Sequence, residues 1–353
     1  MRSTLLAAVA LIAATTISQA DDGLTKGTAD VKSVSALAFG PKGVLFVGDP
    51  QSAAIFAIDT GDSSPASDKA VDIERVDGKV AAALGTTQDD VRINDLKVNP
   101  ASGNVYLAVT RGTGIGKPAI VRITRSDAVE VVSLKDVPYS KVTIPNPADG
   151  KGSTSVITNM SFLDGKLYVA GLSNEQFSST LRAIPFPFPK EADKGTSIEI
   201  FHGAHGKIET KSPIKSFVPY KVGGADTLMA AYTCTPLVKV PVADLKPGVK
   251  VVGTTIAELG NRNNPIDMIV YTKGGKDYIL MANSARGVMK IPAEGFASAK
   301  PIVSKPAGEL AGVKYETVSE LKDVMQLDKL DDARALILVK ANGGFDLKTI
   351  PLP

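Results

Sequence analysis

Two histidines and one cysteine are all the imidazole and thiol in this chain. His202 and His205 lie in Phe201-His202-Gly203-Ala204-His205-Gly206, and Cys234 lies in Tyr232-Thr233-Cys234-Thr235-Pro236. Imidazole and thiolate together suit Zn, Cu or Fe, so His202, His205 and Cys234 form a candidate transition-metal set that would leave a coordination position open. The flanking glycines let such a loop fold back on itself, and Tyr232 is placed to serve as a proton donor or a further ligand. His202 and His205 are also the residues available to relay a proton in metal-assisted hydrolysis. The competing reading has both histidines as solvated loop residues and Cys234 as a small buried apolar side chain.

A second candidate set is built from oxygen ligands. Asp95, Asn159, Asp267 and Asp323 recur at matching places in a repeated pattern, with Ala36 and Ser216 at the remaining two places. Carboxylates converging from several strands repel one another and are costly to desolvate, so they need a neutralising partner. A hard divalent cation, Ca²⁺ foremost, takes 6 to 8 such oxygens, and Asn94 and Ser216 would support it. A purely structural ring meets the same pattern: Asp and Asn bond backbone at turns entering strands, and Lys215 and Lys322 stand beside Ser216 and Asp323 as pairing partners.

The elements that must position these residues are strands. The chain repeats itself about every 50 to 65 residues, a spacing that marks a radial array of small sheets. Each repeat starts with an inner strand: VSALAF, INDLKV, ITNMSF, IKSFVP, IDMIVY and LKDVMQ. An apolar second strand follows, then a third with an apolar-basic-apolar ending, as in IVRIT and VMKIP. Outer strands are read in KAVDIERV, DAVEVVSL, TSIEIFHG and GVKVVGTT. The fold class expected is all-β, a six-bladed β-propeller of four-stranded antiparallel blades. The chain ends after the third strand of the last repeat, so an N-terminal strand within Thr25 to Val34 is expected to close that blade. In such an array the outer-to-inner loop holding His202 and His205 and the second-to-third-strand loop holding Cys234 emerge on one face.

Residues 1–20 read as a signal peptide: a basic start at Arg2, an apolar run from Leu5 to Ala14, and Ser18-Gln19-Ala20 before Asp21. Residues 21–353 are then a single propeller domain, periplasmic or secreted, expected to be a monomer without membrane insertion. Forty basic and 37 acidic residues leave a net charge of +3, which provides no electrostatic footprint for nucleic acid. One cysteine excludes an internal disulfide. The absence of Trp argues against a stacking groove for sugars or bases. No Gly-x-Ser-x-Gly elbow and no Cys-x-x-Cys-His haem attachment occurs.

In Ile93-Asn94-Asp95-Leu96, Thr158-Asn159-Met160 and Pro265-Ile266-Asp267-Met268 the chain resembles the six-bladed propeller superfamily of gluconolactonase-type, paraoxonase-type and strictosidine-synthase-type proteins. The resemblance implies Ca²⁺ or another divalent ion at the channel mouth, held by inner-strand Asp and Asn. The first repeat has Ser35-Ala36 where those enzymes place a Glu ligand. Three functions compete: a metal-dependent hydrolase or lactonase at the channel mouth; a non-catalytic scaffold binding a small molecule or a periplasmic protein; and a redox protein with Cu, or another metal such as Zn, on His202, His205 and Cys234.

Overall fold

The computed structural model describes residues 23–63, 65, 68–114, 116–234 and 236–353. The signal-peptide reading of residues 1–20 lies outside them. Within them the chain is nearly all β, with one α-helix, Val76–Leu84. No helix there is long and apolar enough to cross a membrane.

Among the described residues, six strand groups, called units one to six, follow one another along the chain. Their first strands are Leu37–Phe39, Val91–Val98, Asn159–Leu163, Ser216–Val222, Pro265–Lys273 and Val324–Lys329, each paired antiparallel with a second strand. The second strands read as continuous apolar runs rather than alternating ones because both their faces are covered. In unit two, Val105, Tyr106, Leu107, Ala108 and Val109 are all fully buried.

What covers them is the next unit on either side. Six apolar clusters fill six gaps, between units one and two, one and three, three and four, four and five, five and six, and six and two. First strands touch in the same cycle. Among the described residues these contacts run in the order two-one-three-four-five-six, a propeller-like arrangement with the first two units exchanged relative to the chain.

The exchange has a visible route. After the third strand of unit one, Ala54–Ile58, the chain runs past unit two to unit six. There Ile73 bridges Leu347, and Thr349 bonds Val71 and Asp72. KAVDIERV is thus an edge segment of unit six, not the outer strand of unit one. Its apolar Val71 and Ile73 enter the cluster between units six and two beside Leu336 and Leu347. The outer strand of unit one is Val137–Thr143, which returns after unit two and pairs with Ala54–Ile58. The expectation that the N-terminal strand closes the last blade is corrected accordingly. Thr25–Gly27 pairs with Val137–Thr143 at the rim of unit one, because the open edge of unit six is already met by residues 71–73. Units three and four share one continuous sheet through parallel pairing of their outer strands, Thr196–His202 and Lys250–Leu259.

Side chains of the first strands staple neighbouring units. Asp95 accepts from Leu37 N–H at 2.7 Å, Asn159 from Phe217 N–H at 3.4 Å, Asp267 from Leu327 N–H at 3.4 Å and Asp328 from Val98 N–H at 2.7 Å. Asn94 donates to Val34 O, Thr158 to Ile214 O and Gln326 to Asn94 O. These bonds join neighbouring units at the first strands, which pair in no ladder with one another.

The closure by residues 71–73 is testable. Ile73→Ala should cost about 2–4 kcal/mol in urea unfolding, as for other buried large-to-small changes. Thr25→Ala, on the exposed rim strand, should change stability by about 0.5 kcal/mol or less.

Candidate functional site

A cavity of about 570 Å³ runs inside the ring and is lined by residues of all six first strands, among them Ala38, Lys97, Asn159, Phe217, Asp267 and Asp328. The predicted ring residues fall here in part. Asp95, Asp267 and Gln326 each follow a β-bulge in their strand and stand opposite Ala108, Ala282 and Leu338. Asn159 and Ser216 take the corresponding places opposite Ala170 and Ala231. The sixth position is therefore Gln326 rather than Asp323. Asp323 lies before its strand, exposed and with φ 55°, away from the cavity. Ser216 is fully buried and its hydroxyl makes no hydrogen bond among the described residues.

At the centre of the ring stands Lys97. Its Nζ lies 3.2 Å from Asp267 Oδ2 and 3.6 Å from Asp95 Oδ1. Burial opposes the Lys97 charge, but the carboxylates of Asp267, Asp95 and Asp328 outweigh it and push its pKa well up. Three carboxylates share this one ammonium. Burial raises the pKa of Asp95 and of Asp328 against the pull of Lys97, and carries Asp267 up to about 7. Lys97 and Asp328 extend the predicted set. Each lies two residues beyond a ring position, on the same strand face, which was the available signal.

The second set converges on the loops of units three and four. His202 ends an outer strand, His205 lies in the turn after it, and Glu209 is in the short strand Lys207–Glu209 that pairs back. One ligand atom each of His202, His205 and Cys234 lie within 4.8 Å of one another. The two imidazoles stack with centroids 3.9 Å apart. Both Nδ1 atoms bond Glu209, His202 at 2.8 Å and His205 at 2.6 Å. Burial works against the Glu209 charge, yet donation from His202, His205 and Ser212 brings its pKa down to about 2. An ionised carboxylate accepts only, so both Nδ1 atoms carry the proton that bonds Glu209 and each Nε2 is turned away from it. His202 is buried, and its Nε2 has no hydrogen-bond partner among the described residues.

Cys234 sits in the turn between the second and third strands of unit four, at φ 62°, a left-handed conformation unusual for a residue with a side chain. Its N–H donates to Asn263 O at 2.7 Å, which holds that turn in place. Tyr232 is buried, and burial pushes its phenol well up, so it stays protonated. Glu258 lies next to the end of the outer strand of unit four, against the same loop. Its Oε1 accepts from Gly203 N–H at 2.6 Å, while Oε2 has no hydrogen-bond partner among the described residues. A Cβ on Gly203 would lie 2.8 Å from Oε1, so only glycine admits Glu258 here. Burial lifts the Glu258 carboxyl to about 7 against the backbone donors Gly203 and Ala204. Glu209 and Glu258 were not singled out in the sequence; a glutamate in the otherwise apolar run Ile256-Ala257-Glu258-Leu259 was the usable signal.

No protein-family model and no curated protein matches the chain. Among solved structures, it is similar to an oxidoreductase (glucose dehydrogenase) from Thermus thermophilus at 11% identity and a TM-score of 0.37, with 93% of this chain and 100% of that chain covered. It is also similar to a PQQ-bound aldose sugar dehydrogenase from Streptomyces coelicolor at 12% identity and a TM-score of 0.33, covering 93% and 98%. A glucose dehydrogenase overlaps at 12% identity and a TM-score of 0.36, covering 94% and 98%.

Two outcomes check the channel electrostatics. Lys97→Met leaves three buried carboxylates without their cation and should cost about 3–5 kcal/mol, read from denaturant unfolding at pH 7.5. Asp267 has a folded-state pKa raised from 3.8 to about 7, so its stabilising contribution is present below pH 3.8 and is lost as pH rises through about 7. The stability of the wild type relative to Asp267→Asn should thus increase by about 3–4 kcal/mol between pH 7.5 and pH 4.

Proposed function

We propose that this protein is an exported six-bladed β-propeller with a zinc-type metal centre on His202, His205 and Cys234, used to hydrolyse a small molecule. The six first strands and six intervening cores support the blade count. The single observation that carries the metal reading is His202, whose Nδ1 is committed to Glu209 while its buried Nε2 faces no partner among the described residues. A carboxylate behind a ligating imidazole fixes its tautomer and aims its free nitrogen; here one carboxylate does this for two rings at once.

The donor set of two imidazoles and one thiol suits a borderline-soft ion better than Ca²⁺, which prefers oxygen. At the channel ring a hard ion would have to compete with the Lys97 ammonium, which already sits between Asp95 and Asp267. A bound ion at the His–Cys centre would act as a Lewis acid on a carbonyl and lower the pKa of a water. The chain's own part is positional. Glu209 orients both imidazoles, the strained Cys234 turn presents the thiol, and Glu258 offers a free Oε2 to take up a proton, its Oε1 anchored by Gly203.

Metal analysis of protein purified without tag or chelator tests this directly. About one equivalent of zinc or another soft divalent ion is expected, lost in Cys234→Ser and His202→Ala; its absence overturns the reading. Glu258→Gln should keep the metal and lower ester or lactone hydrolysis by about 10²–10⁴-fold, the usual span for a lost acid–base group. Copper with intense visible absorption and no hydrolysis would point instead to electron transfer.

A further inference from the structure

A second cavity, of about 950 Å³, opens at the face where the first strands begin. Its walls come from the starts of the first strands of units one to four, at Ser35, Arg92, Ile157 and Lys215 among others. The loops of residues 50–53, 110–114 and 147–155 rise around it. Neither His202, His205 nor Cys234 lines it, so it is a separate place from the metal centre.

Its charge is one-sided. Among the described residues, Arg92 and Lys215 are the only ionisable side chains in the lining, and no carboxylate faces the space. Neither cation forms an ion pair among the described residues. The acidic group behind Ser33 is Asp49, which is fully buried and occupied by the N–H groups of Lys32, Ser33 and Ser52 and by the Ser33 hydroxyl. Arg92 is also pre-set. Its Nε donates to Asn94 Oδ1 at 3.1 Å, and the Asn94 amide is held by Val34 O and Thr110 Oγ1. That leaves the outer guanidinium nitrogens free for a planar, two-oxygen group, which carboxylates supply. Because the ring order is two-one-three-four, Arg92 of unit two and Lys215 of unit four stand at opposite ends of the arc that lines the cavity. Hydroxyls such as those of Ser35, Thr154 and Ser155 occupy the wall between.

We propose that this mouth cavity binds a small organic dicarboxylate, one carboxylate on Arg92 and the other on Lys215, with the polar body along the hydroxylated wall. Cations at the two ends of the arc select for an acid with charge at both ends rather than at one.

The test is isothermal titration calorimetry at low and at physiological salt, using succinate, glutarate, adipate and pimelate beside their monoamides and diamides. At least one diacid should bind about 10-fold or more tighter than its monoamide, with affinity falling as salt rises, and the diamides should not bind. Arg92→Gln and Lys215→Gln should each weaken the diacid about 10-fold without lowering the melting temperature. Cys234→Ser should leave that binding unchanged, which separates the cavity from a carboxylate captured by the metal centre. Acids binding no better than their amides, no binding by any member of the series, or unaltered affinity in both charge variants would overturn the proposal. None of these results bears on whether a metal occupies the His–Cys centre.

Discussion

The ammonium of Lys97 is the charge on which the closed ring depends. Carboxylates from units two, five and six point into one narrow channel, and without a cation their burial would be prohibitive. Because Lys97 is there, the same carboxylates can spend their remaining oxygens on the backbone of the next unit: Asp95 on Leu37, Asp267 on Leu327, Asp328 on Val98. One buried cation thus turns mutual repulsion into a set of inter-unit bonds. Unit one enters this chain of contacts through Asp95 and Asn94 of unit two, which fits its exchanged position in the ring.

Much of this was legible in the sequence, and the failures have local causes. The repeat placed all six first strands, because a strand covered on both faces leaves an apolar run that no turn chemistry hides. It misplaced Asp323 because the repeat aligns LKDVMQ from Leu321, whereas the strand begins only at Val324: Asp323 stays in the exposed bend before it, and Gln326, opposite Leu338, takes the ring position. The order of units was not legible at all. KAVDIERV has the same apolar alternation whether it edges unit one or unit six, and only tertiary contact with Leu336 and Leu347 decides. The strand Val137–Thr143 was overlooked for the converse reason, since its Pro138, Ser140 and Lys141 resemble a loop.

The His–Cys centre was readable because it follows from connectivity. Loops that join outer to inner strands and second to third strands leave a propeller on one side, so His202, His205 and Cys234 had to share a face once the strands were placed. Their closeness to one another needed more. The outer strands of units three and four pair in parallel, Ser197 with Lys250 through Ile200 with Gly253, which draws the two loop systems together. Glu209 and Glu258 could not be foreseen from spacing, since one lies on the hairpin that folds back under His202 and the other arrives from a strand some fifty residues away.

The two sites on this face differ in how their polar groups are left. At the His–Cys centre two acceptors, the Nε2 of His202 and Oε2 of Glu258, are left unsatisfied among the described residues, and a buried acceptor without a donor is destabilising unless a cation or a proton donor arrives. At the channel mouth the open groups are donors on Arg92 and Lys215, which call for an anion. Lys97 and its three carboxylates balance one another within the channel and supply no counter-charge to either place. Complementary ligands, a cation at one and an anion at the other, would complete both.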